Sequence, residues 1–209
     1  FNDRVTEIFR RGKYRSPRSL YVSLAMPAQG IGAWAGHVNA MAEIDDSGIR
    51  ATARENGGVL RLPNGVLFAI PYDRDSPNVI FTSQWDNYPE EVAVALNGKA
   101  RRLFLLMAGS TNHMQSRLEN ATVAVRYSDG SSAELLLSNP TNWWPIDQDY
   151  FIDDYQFSRP GPIPPRVDLA TGEVRLIDAA DFKGRGGPVH GGAATVLVLE
   201  LDPEKTLET

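Results

Sequence analysis

With 209 residues, 42% hydrophobic and 22% charged, the chain has the size and composition of a folded domain with a substantial core, which argues against a largely disordered polymer. Its formal net charge of −5 argues against a nucleic-acid backbone as partner. There is no cysteine, so disulfides and thiolate metal centres are excluded, and no apolar run approaches the roughly 20 residues of a membrane-spanning helix.

Residues 1–19 carry Arg4, Arg10, Arg11, Lys13, Arg15 and Arg18 against Asp3 and Glu7. A short charge run of this kind reads as a basic linker or interdomain segment. Val5, Ile8 and Phe9 sit at helical spacing within it. From residue 20 to 209 strand signals dominate. Leu20–Ala25 is β-rich, and Ile49–Arg54 alternates apolar with polar residues, which predicts a strand. Gly58–Leu62 and Val66–Ile70 flank Pro63-Asn64-Gly65, a hairpin signal. Glu91–Leu96 and Arg101–Ala108 flank Asn97-Gly98, which predicts a second hairpin. Ala121–Tyr127 and Ala133–Leu137 flank Ser128-Asp129-Gly130-Ser131, the clearest turn of all. In the first of those two strands Val123, Val125 and Tyr127 share one face, with Ala124 and Arg126 on the other. Glu173–Ile177 and Thr195–Leu201 complete the set. Repeated short strands with tight turns predict an all-β, antiparallel β-sandwich or barrel.

Three stretches read as long loops: Met26–Asp46, Asn139–Pro165 and the glycine-rich Lys183–Gly192. The second holds Asn142-Trp143-Trp144-Pro145-Ile146-Asp147-Gln148-Asp149-Tyr150, where flat aromatic faces stand beside carboxylates and amides. Sugar recognition uses that mixture, because a pyranose offers an apolar C–H face to a ring and hydroxyls to planar polar groups. Trp85, Asp86, Asn87 and Tyr88 repeat the chemistry. The candidate ligand-binding residues are therefore Trp85, Asp86, Asn87, Tyr88, Trp143, Trp144, Asp147, Gln148, Asp149 and Tyr150. The competing reading of the same residues is loop anchoring, since large aromatic side chains more often pack than bind. If the segment is extended, neighbouring Trp143 and Trp144 face opposite sides, so at most one of them stacks on a ligand.

Asp147, Asp149, Asp153 and Asp154 supply the oxygens that calcium takes, although their spacing does not match an EF-hand loop. Two of them could equally form a glycosidase acid–base pair. No catalytic residue is assigned. Gly184–Gly192 lacks the Lys-Ser/Thr ending of a phosphate loop. His37, His113 and His190 have no metal-ligand spacing, and Ser110 does not fit a nucleophile elbow. Asn120-Ala121-Thr122 matches a glycosylation sequon.

Two sets of residues carry a resemblance. Arg102–Thr111, the Val123–Ser131 hairpin and Trp143-Trp144 resemble the galactose-binding-domain-like jelly rolls. Ala28-Gln29-Gly30-Ile31-Gly32, Glu43–Gly48, Trp143–Tyr150 and Gly191–Leu197 resemble an uncharacterised bacterial domain family. Its members lie in large proteins of polysaccharide-degrading bacteria, near six-hairpin glycosidase-like regions. The resemblance implies a jelly-roll sandwich with long loops and a periplasmic or extracellular setting. It also implies that the chain is excerpted from a longer protein, as its start at Phe1 suggests. The expected function is a non-catalytic accessory domain of a carbohydrate-active protein. It would bind glycan, or support a neighbouring catalytic domain of the same chain. A purely structural sandwich and a hydrolase using paired Asp are the alternatives. The first and second of these readings differ in one respect that sequence leaves open: where the Trp143 and Trp144 rings point.

Overall fold

The computed structural model describes residues 22–24, 45–73, 76–82, 90–109, 119–139, 141–149, 162–177 and 187–209. The described chain is mostly strand, in small antiparallel sheets that do not close on themselves. It divides into two compact units. The first comprises residues 1–93, 167–174 and 189–193, and the second residues 94–166, 175–188 and 194–209. No helix among the described residues is long and apolar enough to cross a membrane.

In the first unit β1 (Val22–Leu24) pairs antiparallel with β4 (Val79–Phe81). Helix α1 (Ser47–Glu55) follows, where the sequence predicts a strand over Ile49–Arg54. The alternation of Ile49, Ala51 and Ala53 suits either element over so few residues. Two signals decide for the helix. Ile49 and Ala53, four apart, are both buried on one face. Gly57 then takes a left-handed φ of 68°, and the Gly58 amide donates back to Ala53 O at 2.7 Å. That six-to-one bond is a Schellman stop, for which glycine has no steric penalty. Strands β2 (Val59–Arg61) and β3 (Leu67–Ala69) form the hairpin expected at Pro63-Asn64-Gly65. Leu62 and Val66 close it, with Gly65 at φ 86°.

In the second unit β5 (Arg102–Met107) does not pair across Asn97-Gly98 as predicted. It pairs antiparallel with the distant β12 (Ala193–Glu200), Leu103 opposite Leu199 and Leu105 opposite Leu197. Gly98 is turn-like at φ 80°, but its carbonyl accepts from Leu207 and the Leu96 amide donates to Glu208 O. The turn residue acts locally, while the leucine ladder sets the partner. Strands β6 (Glu119–Arg126) and β7 (Ser132–Ser138) form the hairpin predicted at Ser128-Asp129-Gly130, with Val125 and Tyr127 buried and Ala124 and Arg126 exposed. The inner face of this hairpin packs on that of β5–β12. Val125, Tyr127, Leu199, Leu201 and Leu207 form one cluster; Leu137, Trp143 and Leu197 form the next. Strands β8 (Gln148–Asp149) and β11 (Gly187–Pro188) pair antiparallel. Two further short strands are β9 (Arg166–Asp168) and β10 (Val174–Arg175).

Candidate functional site

The aromatic and acidic segment leaves β7 through a tight turn built by asparagines. Asn142 Oδ1 accepts from the Ser138 amide at 2.9 Å, and Asn142 Nδ2 donates to Leu136 O at 2.9 Å. The amides of Asn142 and Trp143 both donate to Ser138 O. Asn139 is fully buried and its Nδ2 donates to Trp143 O at 3.0 Å. This local pairing is what asparagine side chains do in preference to extending a strand. It turns Trp143 inward.

Both tryptophans are buried, Trp143 at 8% exposure and Trp144 at 1%. Trp143 lies among Leu137 and Leu197, with Leu105, Met107, Val123 and Leu135 around them. A methyl group built on Gly109 would lie 2.0 Å from Trp143 Cζ2, so only glycine admits the ring there. The Ile146 amide donates to Gly109 O at 2.9 Å and Gly109 bridges to Pro145. Trp144 packs elsewhere, on Ile163 and Ile177. The two rings join different clusters, although the segment is a turn and not an extended strand. However, each side is interior, and neither ring face is open to a sugar in this arrangement.

The carboxylate of Asp149 is also engaged. Arg175 Nη1 meets Oδ2 at 2.5 Å and its Nη2 donates to Oδ1 at 3.3 Å, while Arg166 Nε lies 3.2 Å from Oδ1. Arg166 is fully buried and its Nη2 donates to Pro145 O at 2.9 Å. One carboxylate with both oxygens held by guanidinium groups is a structural pair. Asp147 and Gln148 are half-buried. Trp85, Asp86, Asn87, Tyr88, Tyr150, Asp153 and Asp154 lie outside the described residues. Among the described residues no group of three His, Asp or Glu side chains stands together as a metal site.

Sequence reasoning missed two constellations. One is the Arg166–Asp149–Arg175 set just described. Its signal was an arginine at the start of a short strand, beside Val167. The other is in the first unit. Arg50 (5% exposed) has Nε on Asp46 Oδ2 at 2.7 Å, and its remaining nitrogens reach Pro71 O, Asp73 O and Ser76 O. Asn78 Nδ2 adds a bond to the same Asp46 oxygen at 2.7 Å. A buried guanidinium thereby folds the loop around itself, a fork geometry lysine does not offer.

A third cluster joins Ser131, Lys205 and Asp129. Lys205 Nζ donates to Ser131 Oγ at 2.7 Å, and it also pairs with Asp129 Oδ2 at 3.1 Å. Ser131 Oγ in turn lies 2.5 Å from Asp129 Oδ1. The Ser131 hydroxyl and amide, with Lys205, hold the Asp129 carboxyl at about 2, below its ordinary 3.8. The cluster fastens residues 202–209 to the β6–β7 turn. Against protein-family models, curated proteins and solved structures, the chain has no match.

Proposed function

We propose that the chain is a non-catalytic accessory module of a carbohydrate-active protein, a galactose-binding-like jelly roll that supports a glycosidase-like neighbour in the periplasm or outside the cell. The carbohydrate setting is supported by the sequence resemblance carried by residues 28–32, 43–48, 143–150 and 191–197. Short antiparallel strands, with the β5–β12 and β6–β7 ladders packed face to face, are compatible with such a sandwich.

The choice of support over sugar binding rests on one observation: Trp143, Trp144 and Asp149 are spent on internal packing and pairing. Residues that stack on glycan must leave a ring face in water before the ligand arrives. Residues 143–149 instead fasten the segment after β7 to β5, β9 and β12. The described residues likewise hold no free carboxylate pair for glycoside hydrolysis around Asp149.

Affinity electrophoresis of the 209-residue chain in polysaccharide gels tests this reading, run beside Trp85→Ala and an assay for released reducing sugar. The expected result is unretarded migration for both proteins and no sugar release. Retardation that Trp85→Ala removes would establish glycan binding through Gln84–Tyr88 instead. Sugar release stopped by Asp147→Asn would establish a hydrolase.

A further inference from the structure

We propose that the Asn97-Gly98 pair is a site of spontaneous main-chain modification, where the asparagine closes to a succinimide and reopens as aspartate or isoaspartate. The chain holds three Asn-Gly pairs, at 56–57, 64–65 and 97–98. In each, glycine brings no side chain to hinder attack of its nitrogen on the preceding side-chain amide. The fold separates the three by what it ties down.

At Asn56 the side-chain Nδ2 donates to Thr52 O at 2.7 Å, and the main-chain amide of the same residue donates to Thr52 O and Ala53 O. The side-chain amide is thereby held against the last turn of α1. At Asn64 the Oδ1 accepts from the Val66 amide at 3.2 Å. The Gly65 amide, which would be the nucleophile, donates to Leu62 O at 2.9 Å. Ring closure at either pair must first break hydrogen bonds. At Asn97 neither hold exists among the described residues. The Asn97 side chain is exposed and makes no hydrogen bond there, and the Gly98 amide donates to nothing. A methyl group built on Gly98 would meet no atom within 4 Å. This exposure holds with the adjoining segment in place, since Gly98 O accepts from Leu207 at 2.8 Å and the Leu96 amide donates to Glu208 O at 2.9 Å.

The step needs only water. The Gly98 nitrogen gives its proton to hydroxide and attacks Asn97 Cγ. The N–Cγ bond forms, the Cγ–Nδ2 bond breaks, and Nδ2 leaves as ammonia with a proton taken from water. Nothing is oxidised or reduced. Water then opens the ring at Cγ to give aspartate, or at the main-chain carbonyl to give isoaspartate, whose main chain runs through Cβ and Cγ and is one atom longer. Either product adds a negative charge. The extra atom of isoaspartate falls between the Leu96–Glu208 and Leu207–Gly98 bonds and disturbs their register. Leu96 packs on the cluster of Val125, Tyr127 and Leu207, so the change loosens Leu207 and Glu208 from the core of the second unit. The inference goes beyond the supporting role proposed above and does not depend on it.

The test uses the unaltered 209-residue chain, held in warm neutral buffer either folded or in urea. Each Asn-Gly pair falls in its own tryptic peptide, so mass spectrometry follows the three conversions side by side. In the folded chain Asn97 should convert about tenfold or more faster than Asn56 or Asn64. In urea the three rates should draw together. Amide exchange at Leu96 and Leu207 should be faster in the isoaspartate form than in unconverted chain. No conversion at Asn97, or conversion of Asn56 or Asn64 at a similar rate in the folded chain, overturns the proposal. So does a lead for Asn97 that persists in urea, which would lie in local sequence and not in the fold. Unchanged exchange at Leu96 and Leu207 overturns the loosening.

Discussion

Replacing Trp144 with alanine measures whether the aromatic segment is an internal anchor. The ring is 1% exposed and packs on Ile163 and Ile177. A buried aromatic of this size removes about 150–250 Å² from water. At about 25 cal/mol per Å² that is roughly 4–6 kcal/mol as an upper bound. Measured truncations of buried Trp and Phe to alanine cluster at about 3–5 kcal/mol. For a chain of this length each kcal/mol moves Tm by roughly 2–4 °C, so a fall of about 6–20 °C is expected. Urea unfolding should show the same loss in midpoint with an unchanged slope. A ring held out for a ligand contributes little to folding, so a loss below about 1 kcal/mol would refute the anchoring argument.

Three further outcomes follow from the packing. Gly48→Ala should destabilise by about 1–3 kcal/mol in chemical denaturation, because its Cβ would lie 2.2 Å from the Ala170 carbonyl. In an open helix the same change would stabilise, and a gain here would contradict the packing of α1. Arg50→Met should cost about 3–5 kcal/mol by leaving Asp46 buried and unpaired, and adding Asp46→Asn should recover part of it; a loss under about 1 kcal/mol would refute the clamp. Asp129, held at about 2 in the fold against an ordinary 3.8, should titrate near 2 by carboxyl ¹³C NMR. Since its folded value is the lower, its contribution is complete above about pH 4 and fades as pH falls toward 2. Asp129→Asn should flatten that part of the acid-unfolding curve, and a titration midpoint near 3.8 would contradict the Ser131–Lys205 clasp.

Where sequence and fold agree, local chemistry decides the outcome. Pro63-Asn64-Gly65 and Ser128-Asp129-Gly130 mark real hairpins, because each places glycine where the chain takes a positive φ. The Val123, Val125, Tyr127 alternation marks the inner face of β6 because that hairpin has one dry side. The failures are non-local. Asn97-Gly98 makes its turn, yet β5 is claimed by Leu197 and Leu199, about a hundred residues away in the chain, and nothing near Gly98 encodes that choice. Helix α1 was disguised by a six-residue alternation that fits both periods, although the Gly57-Gly58 pair that stops it was visible. In the candidate site, the sequence marks the aromatic and acidic residues as an unusual cluster. Their direction was not legible, because it depends on Gly109, Ile163, Arg166 and Arg175, which the chain brings in from elsewhere.

The most direct test of the account is ¹⁹F NMR of the chain labelled with 5-fluorotryptophan, its resonances assigned by single Trp→Phe changes. Buried rings predict no shift for Trp143 and Trp144 between H₂O and D₂O, and none on adding soluble oligosaccharide. A solvent isotope shift at either resonance, or a saturable shift with sugar, would show a ring face open to ligand and contradict the assignment of this segment as an internal fastening.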